Sequence, residues 1–321
     1  MRRWKAAALL AGLTLLAGLL LAFTPEVYAE ILMALGRLHV SAIPRPPAGF
    51  QARSGPALGS AVDDYWRVQK IAPDTWAISE PQNDPDNYEY LLVGRNRALL
   101  IDSGATARDI HAALVNLTQL RVTVIPTHLH YDHTNGLNHF KSIATIDLPE
   151  IRARERNGIV HLGRYQYLGS PTPSFHVTQW VKPNAMIDLG GRRVQVLWTP
   201  GHTSTSASFY DPVAKLLFAG DFIYPTTLYA FVPDSSLSAY QATADRLLAT
   251  LPADTKIYGG HCCRNDAPPE APWLGMNDLR DLRAAVANIR AGKAKGRGFM
   301  LRRFPVNSRM TILTLYPFGN R

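Results

Sequence analysis

One heptapeptide limits this chain more than any other feature. Thr127-His128-Leu129-His130-Tyr131-Asp132-His133 stands directly behind the run 121–126, RVTVIP. That run is rich in β-branched residues and reads as a strand. In extended backbone, residues two apart point the same way, so His128 and His130 can serve one ion together. Asp132 and His133 then fall in the loop beyond, displaced enough to serve a second ion. Three imidazoles and a carboxylate within six residues suit zinc or another borderline divalent metal.

The same arrangement recurs downstream. Gly201-His202-Thr203 follows a strand ending at Thr199, and Gly259-Gly260-His261 follows one at 256–258. Phe218-Ala219-Gly220-Asp221 closes a further strand with a carboxylate. Five of the ten histidines occupy these strand-end positions, which a merely His-rich loop does not explain. The pattern predicts a metal centre.

Around these motifs, short β-type runs alternate with helical patterns. Strands are expected at 75–79, 88–93, 97–102, 193–199, 206–211, 215–220, 256–259 and 310–316, divided by Asp, Asn, Pro and Gly turns. Ile110, Leu114 and Leu117 mark a helix over 107–120. A second helix is expected over 238–251, opened by a Ser238/Gln241 capping box. A late one carries Leu279, Leu282, Val286 and Ile289, and a basic turn follows at 290–298. No period of 20–50 residues repeats, which excludes a solenoid or propeller. Strands in runs with interleaved helices predict an α/β domain, with helices packed outside one or two sheets.

The combined motifs resemble the metallo-β-lactamase-fold hydrolase superfamily. His128-Leu129-His130-Tyr131-Asp132-His133 matches its H-x-H-x-D-H signature. His202, Asp221 and His261 follow in order, Ile101-Asp102-Ser103-Gly104 matches upstream, and the likeness spans roughly residues 66–261. The resemblance implies an αββα sandwich: two mixed sheets face to face, helices outside, metals at one edge. By position it implies His128, His130 and His202 as ligands of a first ion and Asp132, His133 and His261 as ligands of a second. Asp221 would bridge the two. Asp102 is implied as a support beneath the metal loop, its plainer reading being a strand-end turn residue. True β-lactamases of this superfamily usually carry Cys or Ser where this chain has Asp221. The likeness is therefore closer to hydroxyacylglutathione hydrolases, lactonases and phosphodiesterase branches. Tyr224 matches a tyrosine that the homoserine-lactonase branch uses near the scissile carbonyl, with a wall aromatic as the alternative.

The chemistry so implied is hydrolysis by a metal-bridging hydroxide, which Asp132 orients while shuttling its proton to the leaving group. The expected cofactor is two divalent ions, zinc first, with iron and manganese compatible with the same mixed donor set. The expected substrate is a small carbonyl compound: an ester, a lactone or a β-lactam. Phe222, Leu228, Tyr229 and Phe231, just beyond Asp221, read as an apolar substrate wall or as core packing. Tyr165, Tyr167 and the segment 170–175 offer a second wall. The alternatives are a phosphodiesterase or nuclease-type member and a non-catalytic metal binder. Nothing resembles a phosphate cradle, and all seven ligand positions are filled.

The N-terminus reads as an export signal. Arg2, Arg3 and Lys5 precede the 18-residue uncharged run 6–23, and Val27-Tyr28-Ala29 offers a cleavage site. Residues 1–29 are expected to be a signal peptide or a membrane anchor. Residues 30–62 are expected to form a short helix (Ile31, Leu35, Leu38) and a Pro/Gly-rich linker, and 63–321 the hydrolase domain. Both readings place the protein in the periplasm, tethered by residues 6–23 if they are kept. Net charge is +9, with ten basic residues and one acid, Asp281, between Arg280 and Arg321. Export counts against a nucleic acid partner, and none is expected. Cys262 and Cys263 are the two cysteines, too few for a disulfide scaffold or a Cys-rich zinc module, and read as partly buried thiols.

Overall fold

Apolar runs broken by turn residues fold in the first third of the chain as a meander. A computed structural model describes residues 60–83, 85–167, 172–262, 271–298 and 301–315. All of them belong to the unit Pro44–Arg321. Strands Arg67–Ala72, Thr75–Glu80, Asp86–Val93 and Ala98–Ile101 pair antiparallel in succession. Asp74 takes the left-handed conformation in the first turn, which aspartate tolerates well. Val122–Ile125 then joins Ala98–Ile101 in parallel, so the chain must cross over between them.

The second sheet is a meander of Met186–Asp188, Arg193–Trp198, Ala207–Asp211 and Leu216–Gly220. Lys256–Gly259 adds in parallel beside Leu216–Gly220 after a crossover containing the helix Leu237–Thr250. Trp273–Leu274 closes the edge. The central strands of this sheet are buried on both faces, as strict alternation shows. Phe209, Leu216, Phe218 and Tyr258 belong to the core shared with the first sheet. Their neighbours Tyr210, Leu217, Ala219 and Ile257 instead pack toward Leu237–Thr250 and the helix Met276–Arg290. Across the gap between sheets, Tyr90 meets Phe218 and Tyr258 at ring separations of 4.9 and 5.7 Å. The two-sheet sandwich implied by the resemblance is therefore present.

One strand changes sides. Lys256–Gly259 runs in the second sheet, but His261–Cys262 pairs antiparallel with Asp86–Val93 of the first. Gly260 is the crossing point, and the Tyr90 hydroxyl donates to the Gly259 carbonyl at 2.6 Å beside it.

Several expectations need correction. The helix expected over 107–120 is a single turn, His111–Leu114. The Asp109 carboxylate caps the His111 N–H at 2.9 Å, and Thr118 Oγ1 accepts the Leu120 N–H at 3.1 Å. These local side-chain bonds compete with helix propagation. The helix at Leu237 is capped by Ser236, whose Oγ accepts the Ala239 N–H at 3.2 Å, rather than by Ser238. Asp132 and His133 lie in a helical turn, Tyr131–Thr134, not an open loop. Strand Ser60–Ala61 already belongs to the first sheet, ahead of the boundary expected at residue 63. Cys262 is buried and disulfide-bonded, not a thiol. The expected N-terminal signal, short helix and most of the linker lie outside the described residues, as do Ser170 and Cys263. Among the described residues no helix is long and apolar enough to cross a membrane.

Candidate metal centre

The loop carrying the heptapeptide is fixed from below by Asp102. This residue ends strand Ala98–Ile101 with φ +65°, a left-handed conformation that turns its carboxylate under the loop. Its oxygens accept the Thr127 N–H at 2.6 Å and the Thr127 hydroxyl at 3.0 Å. They also meet His133 Nδ1 at 2.9 Å. One buried aspartate thus grips both ends of the His128–His133 stretch. Ser103 adds its N–H and hydroxyl to the His133 carbonyl, at 3.1 and 3.0 Å.

Three ring nitrogens converge on one point. His130 Nδ1 lies 2.9 Å from His128 Nε2 and 3.0 Å from His202 Nε2. The outer nitrogens are occupied: His202 Nδ1 faces the Tyr229 carbonyl at 2.8 Å, and His128 Nδ1 sits 3.2 Å from Thr127 Oγ1. Those contacts aim the remaining lone pairs inward. Beside this trio, Asp132, His133 and His261 form a second one. His261 Nε2 is 3.4 Å from Asp132 Oδ2, and His133 Nε2 is 3.9 Å from Asp132 Oδ1. Asp221 reaches both groups. Its oxygens lie 3.6 Å from His202, 3.4 Å from His133 and 3.3 Å from His261, measured to each Nε2.

Donor chemistry and spacing fit divalent ions. An ion about 2.0–2.1 Å from each nitrogen separates tetrahedral ligands by about 3.4 Å and octahedral neighbours by about 3.0 Å. His133 Nε2 and Asp221 Oδ1 are moreover buried with no hydrogen-bond partner, a costly condition unless a cation lies between them. Burial, together with neighbouring imidazoles, holds His128 well below the usual histidine range and pushes His130 down to about 3. Burial likewise lowers His202, against the pull of Asp221. These three rings are neutral at pH 7 and free to ligate. In the other half, burial works against the proton but the carboxylates prevail. Asp102, Asp221 and Asp132 raise His133 well above its ordinary value, and Asp221 and Asp132 lift His261 to about 10.

Two glycines make the convergence possible. A Cβ on Gly220, whose φ is +50°, would sit 2.5 Å from Thr127 Oγ1. One on Gly260 would sit 2.7 Å from Asp221 Oδ1 and 2.8 Å from His133 Cε1.

The structure brings the seven ligand candidates together, with Asp102 beneath them, while the wall residues divide. Phe222 and Leu228 are fully buried in the core under helix Leu237–Thr250, with Phe222 stacked on Tyr240 at 5.3 Å. Tyr224 lies edge-on behind His261 at 5.3 Å. Its hydroxyl donates to the Thr227 carbonyl at 2.9 Å and the residue is buried, the arrangement of a packing aromatic. Tyr229 and Phe231, 5.4 Å apart, stay partly exposed, and the Tyr229 carbonyl meets His202. Tyr165 stands 6.5 Å from the His130 ring, its hydroxyl bonded to Asp234. Asp132, 22% exposed, is the most accessible carboxylate of the centre.

Sequence reasoning missed a buried acidic network underneath. Glu80, Asn87 and Glu89 are all fully buried, and Asn87 Nδ2 donates to Glu89 Oε1 and to the Asp132 carbonyl, both at 2.8 Å. The available signal was the trio Asp86, Asn87 and Glu89 in a strand whose remaining residues are aromatic or aliphatic.

Comparison with known proteins agrees with this geometry. The family described as the metallo-beta-lactamase superfamily matches residues 88–261. The acyl-coenzyme A thioesterase MBLAC2 of Bos taurus is 27% identical over 200 residues, covering 54% of this chain and 71% of that protein. A hydroxyacylglutathione hydrolase of Brucella anthropi is 29% identical over 177 residues, covering 55% of this chain and 61% of that protein. Among solved structures, a metallo-beta-lactamase from Pontibacter korlensis shares the fold, with TM-score 0.55 and 20% identity, covering 70% of this chain and 99% of that one.

Proposed function

The chain belongs to the metallo-β-lactamase superfamily and is a metal-dependent hydrolase, and from that premise we propose that it holds two divalent ions and cleaves a small carbonyl substrate. One observation carries the two-ion reading: Asp221 stands 3.3–3.6 Å from histidines of both triads. His128, His130 and His202 would hold one ion, Asp132, His133 and His261 the other, and Asp221 both. Zinc suits the donors, and iron or manganese would also be accommodated. Two ions bound there would supply a nucleophilic hydroxide near neutral pH and polarise the substrate carbonyl.

The chain's own residues do the remainder. Asp132 faces the opening, where its carboxylate orients the attacking water and receives its proton. Asp102 and the Tyr229 carbonyl fix the ring orientations of His133 and His202. The aromatic rings of Tyr229 and Tyr165, near His202 and His130, suit an acyl chain or a ring substituent. Both relatives bear names that denote cleavage of an acyl–sulfur bond, so a thioester joins esters, lactones and β-lactams as a candidate.

Export is part of the proposal. Arg2, Arg3 and Lys5 ahead of the apolar run 6–23 support periplasmic delivery, with that run as a tether if uncleaved, and a catalytic domain over 63–321. Turnover of a thioester, an ester, a lactone and a chromogenic cephalosporin, with metal analysis alongside, tests the reading. Carbonyl cleavage abolished by chelation is expected. Activity confined to bis-p-nitrophenyl phosphate, or full activity without metal, would overturn it.

A further inference from the structure

Asn87 is buried on strand Asp86–Val93, which Ala98–Ile101 separates from the strand Val122–Ile125 that leads into the metal loop. Its backbone is in antiparallel register with His261, and the next N–H, of Tyr88, donates to the Gly260 carbonyl at 2.9 Å. Its side chain reaches the other way. Nδ2 donates to the Asp132 carbonyl at 2.8 Å and to Glu89 Oε1 at 2.8 Å, with Glu80 Oε1 at 3.2 Å. Three oxygens surround this atom, so chemistry alone requires nitrogen there, because an amide oxygen would face only acceptors. Glu80 is itself anchored by the Ala105 N–H at 2.7 Å, the Asn83 amide at 2.9 Å and the Tyr65 hydroxyl. The amide is thus oriented from below before it meets Asp132. A one-turn helix such as Tyr131–Thr134 leaves carbonyls without helical donors, and Asn87 supplies one.

We propose that Asn87 is a positioning residue for one half of the centre, setting Asp132 through its side chain and His261 through its backbone register. The proposal rests on the two-ion reading. Asn87 makes no hydrogen bond to His128, His130 or His202, so its influence is directed at the second ion.

The experiment titrates Zn2+ into metal-free protein and counts bound metal per chain, with folding checked by circular dichroism. His130→Ala and His261→Ala serve as references for loss of the first and second ion. In Asn87→Asp, a shape-conserving change, an oxygen replaces the donor. The first equivalent should bind as in the wild type and the second about 10–100-fold more weakly, the usual effect of removing a ligand's support. The isotherm should resemble that of His261→Ala. Two unchanged equivalents, or two weakened alike, would overturn the proposal. Should Asn87→Asp fail to fold, Asn87→Ser, neutral and too short to reach Asp132, carries the same expectations. A wild-type chain that takes up one equivalent only would overturn the two-ion reading itself, a result visible before any variant is made.

Discussion

Asp221 Oδ1 lies 3.4 Å from His133 Nε2, and both atoms are buried without a hydrogen-bond partner. In the metal-free fold the proton that the surrounding carboxylates hold on His133 balances Asp221, and a bound divalent ion would add a stronger cation at the same place. Chelation should therefore lower the thermal midpoint and added Zn2+ restore it. The gain is about 2.7 kcal/mol when free metal stands at about 100 times Kd. Calorimetry giving the same midpoint with and without chelator would contradict this.

Asp132 and His130 belong to opposite halves of the centre, and each should be indispensable. On the proposed mechanism Asp132→Ala removes both a ligand and the proton acceptor, so kcat should fall by about 10²–10⁴ or more. His130→Ala should be similarly inactive. Near-normal turnover in either variant, with metal content verified, would sink the assignment.

Gly260 has no room to grow. The Cβ of Gly260→Ala would press 2.7 Å from Asp221 Oδ1 and 2.8 Å from His133 Cε1, both buried and tethered. The variant should bind metal more weakly than wild type while keeping its circular dichroism spectrum. Unchanged metal affinity would show that the site can yield.

Tyr224→Phe separates chemistry from support. The hydroxyl donates to the Thr227 carbonyl inside the fold, so its loss should cost about 1 kcal/mol of stability. Turnover should stay within about threefold of wild type, and a collapse of kcat in the folded variant would reinstate a catalytic role.

Proton and metal compete at His261. Burial opposes its proton, but Asp221 and Asp132 raise it to about 10. A pKa raised above the unfolded value of about 6.5 stabilises the metal-free fold fully below that pH. The contribution fades as pH rises toward 10. Metal must displace this proton, so Zn2+ affinity should strengthen from pH 6 to pH 9, with proton release measurable by calorimetry in buffers of different ionisation enthalpy. Affinity independent of pH across that range would rule the coupling out.

Much of this was readable in one dimension. Metal ligation demands particular side chains at strand ends, and strands announce themselves through β-branched runs such as 121–126, so His128, His130, His202, Asp221 and His261 stand out unaided. Phe222 and Leu228 did not declare their side. An apolar residue beside a site looks the same whether it lines the opening or packs beneath a helix, and here the helix Leu237–Thr250 covers them. The helix expected over 107–120 failed for a local reason, since Asp109 and Thr118 bond their own backbone more readily than they continue a turn.

By itself, then, the sequence determined which atoms could ligate and that they lie at the ends of strands. Whether they meet was decided by tertiary structure: by Gly260, where the chain steps from one sheet to the other, and by Asp102 gripping the loop. It was also tertiary packing that placed Asn87 under Asp132, 45 residues away in sequence. Hydrogen bonds of that range leave no periodic trace along a chain, because their geometry is set by the packing of two sheets.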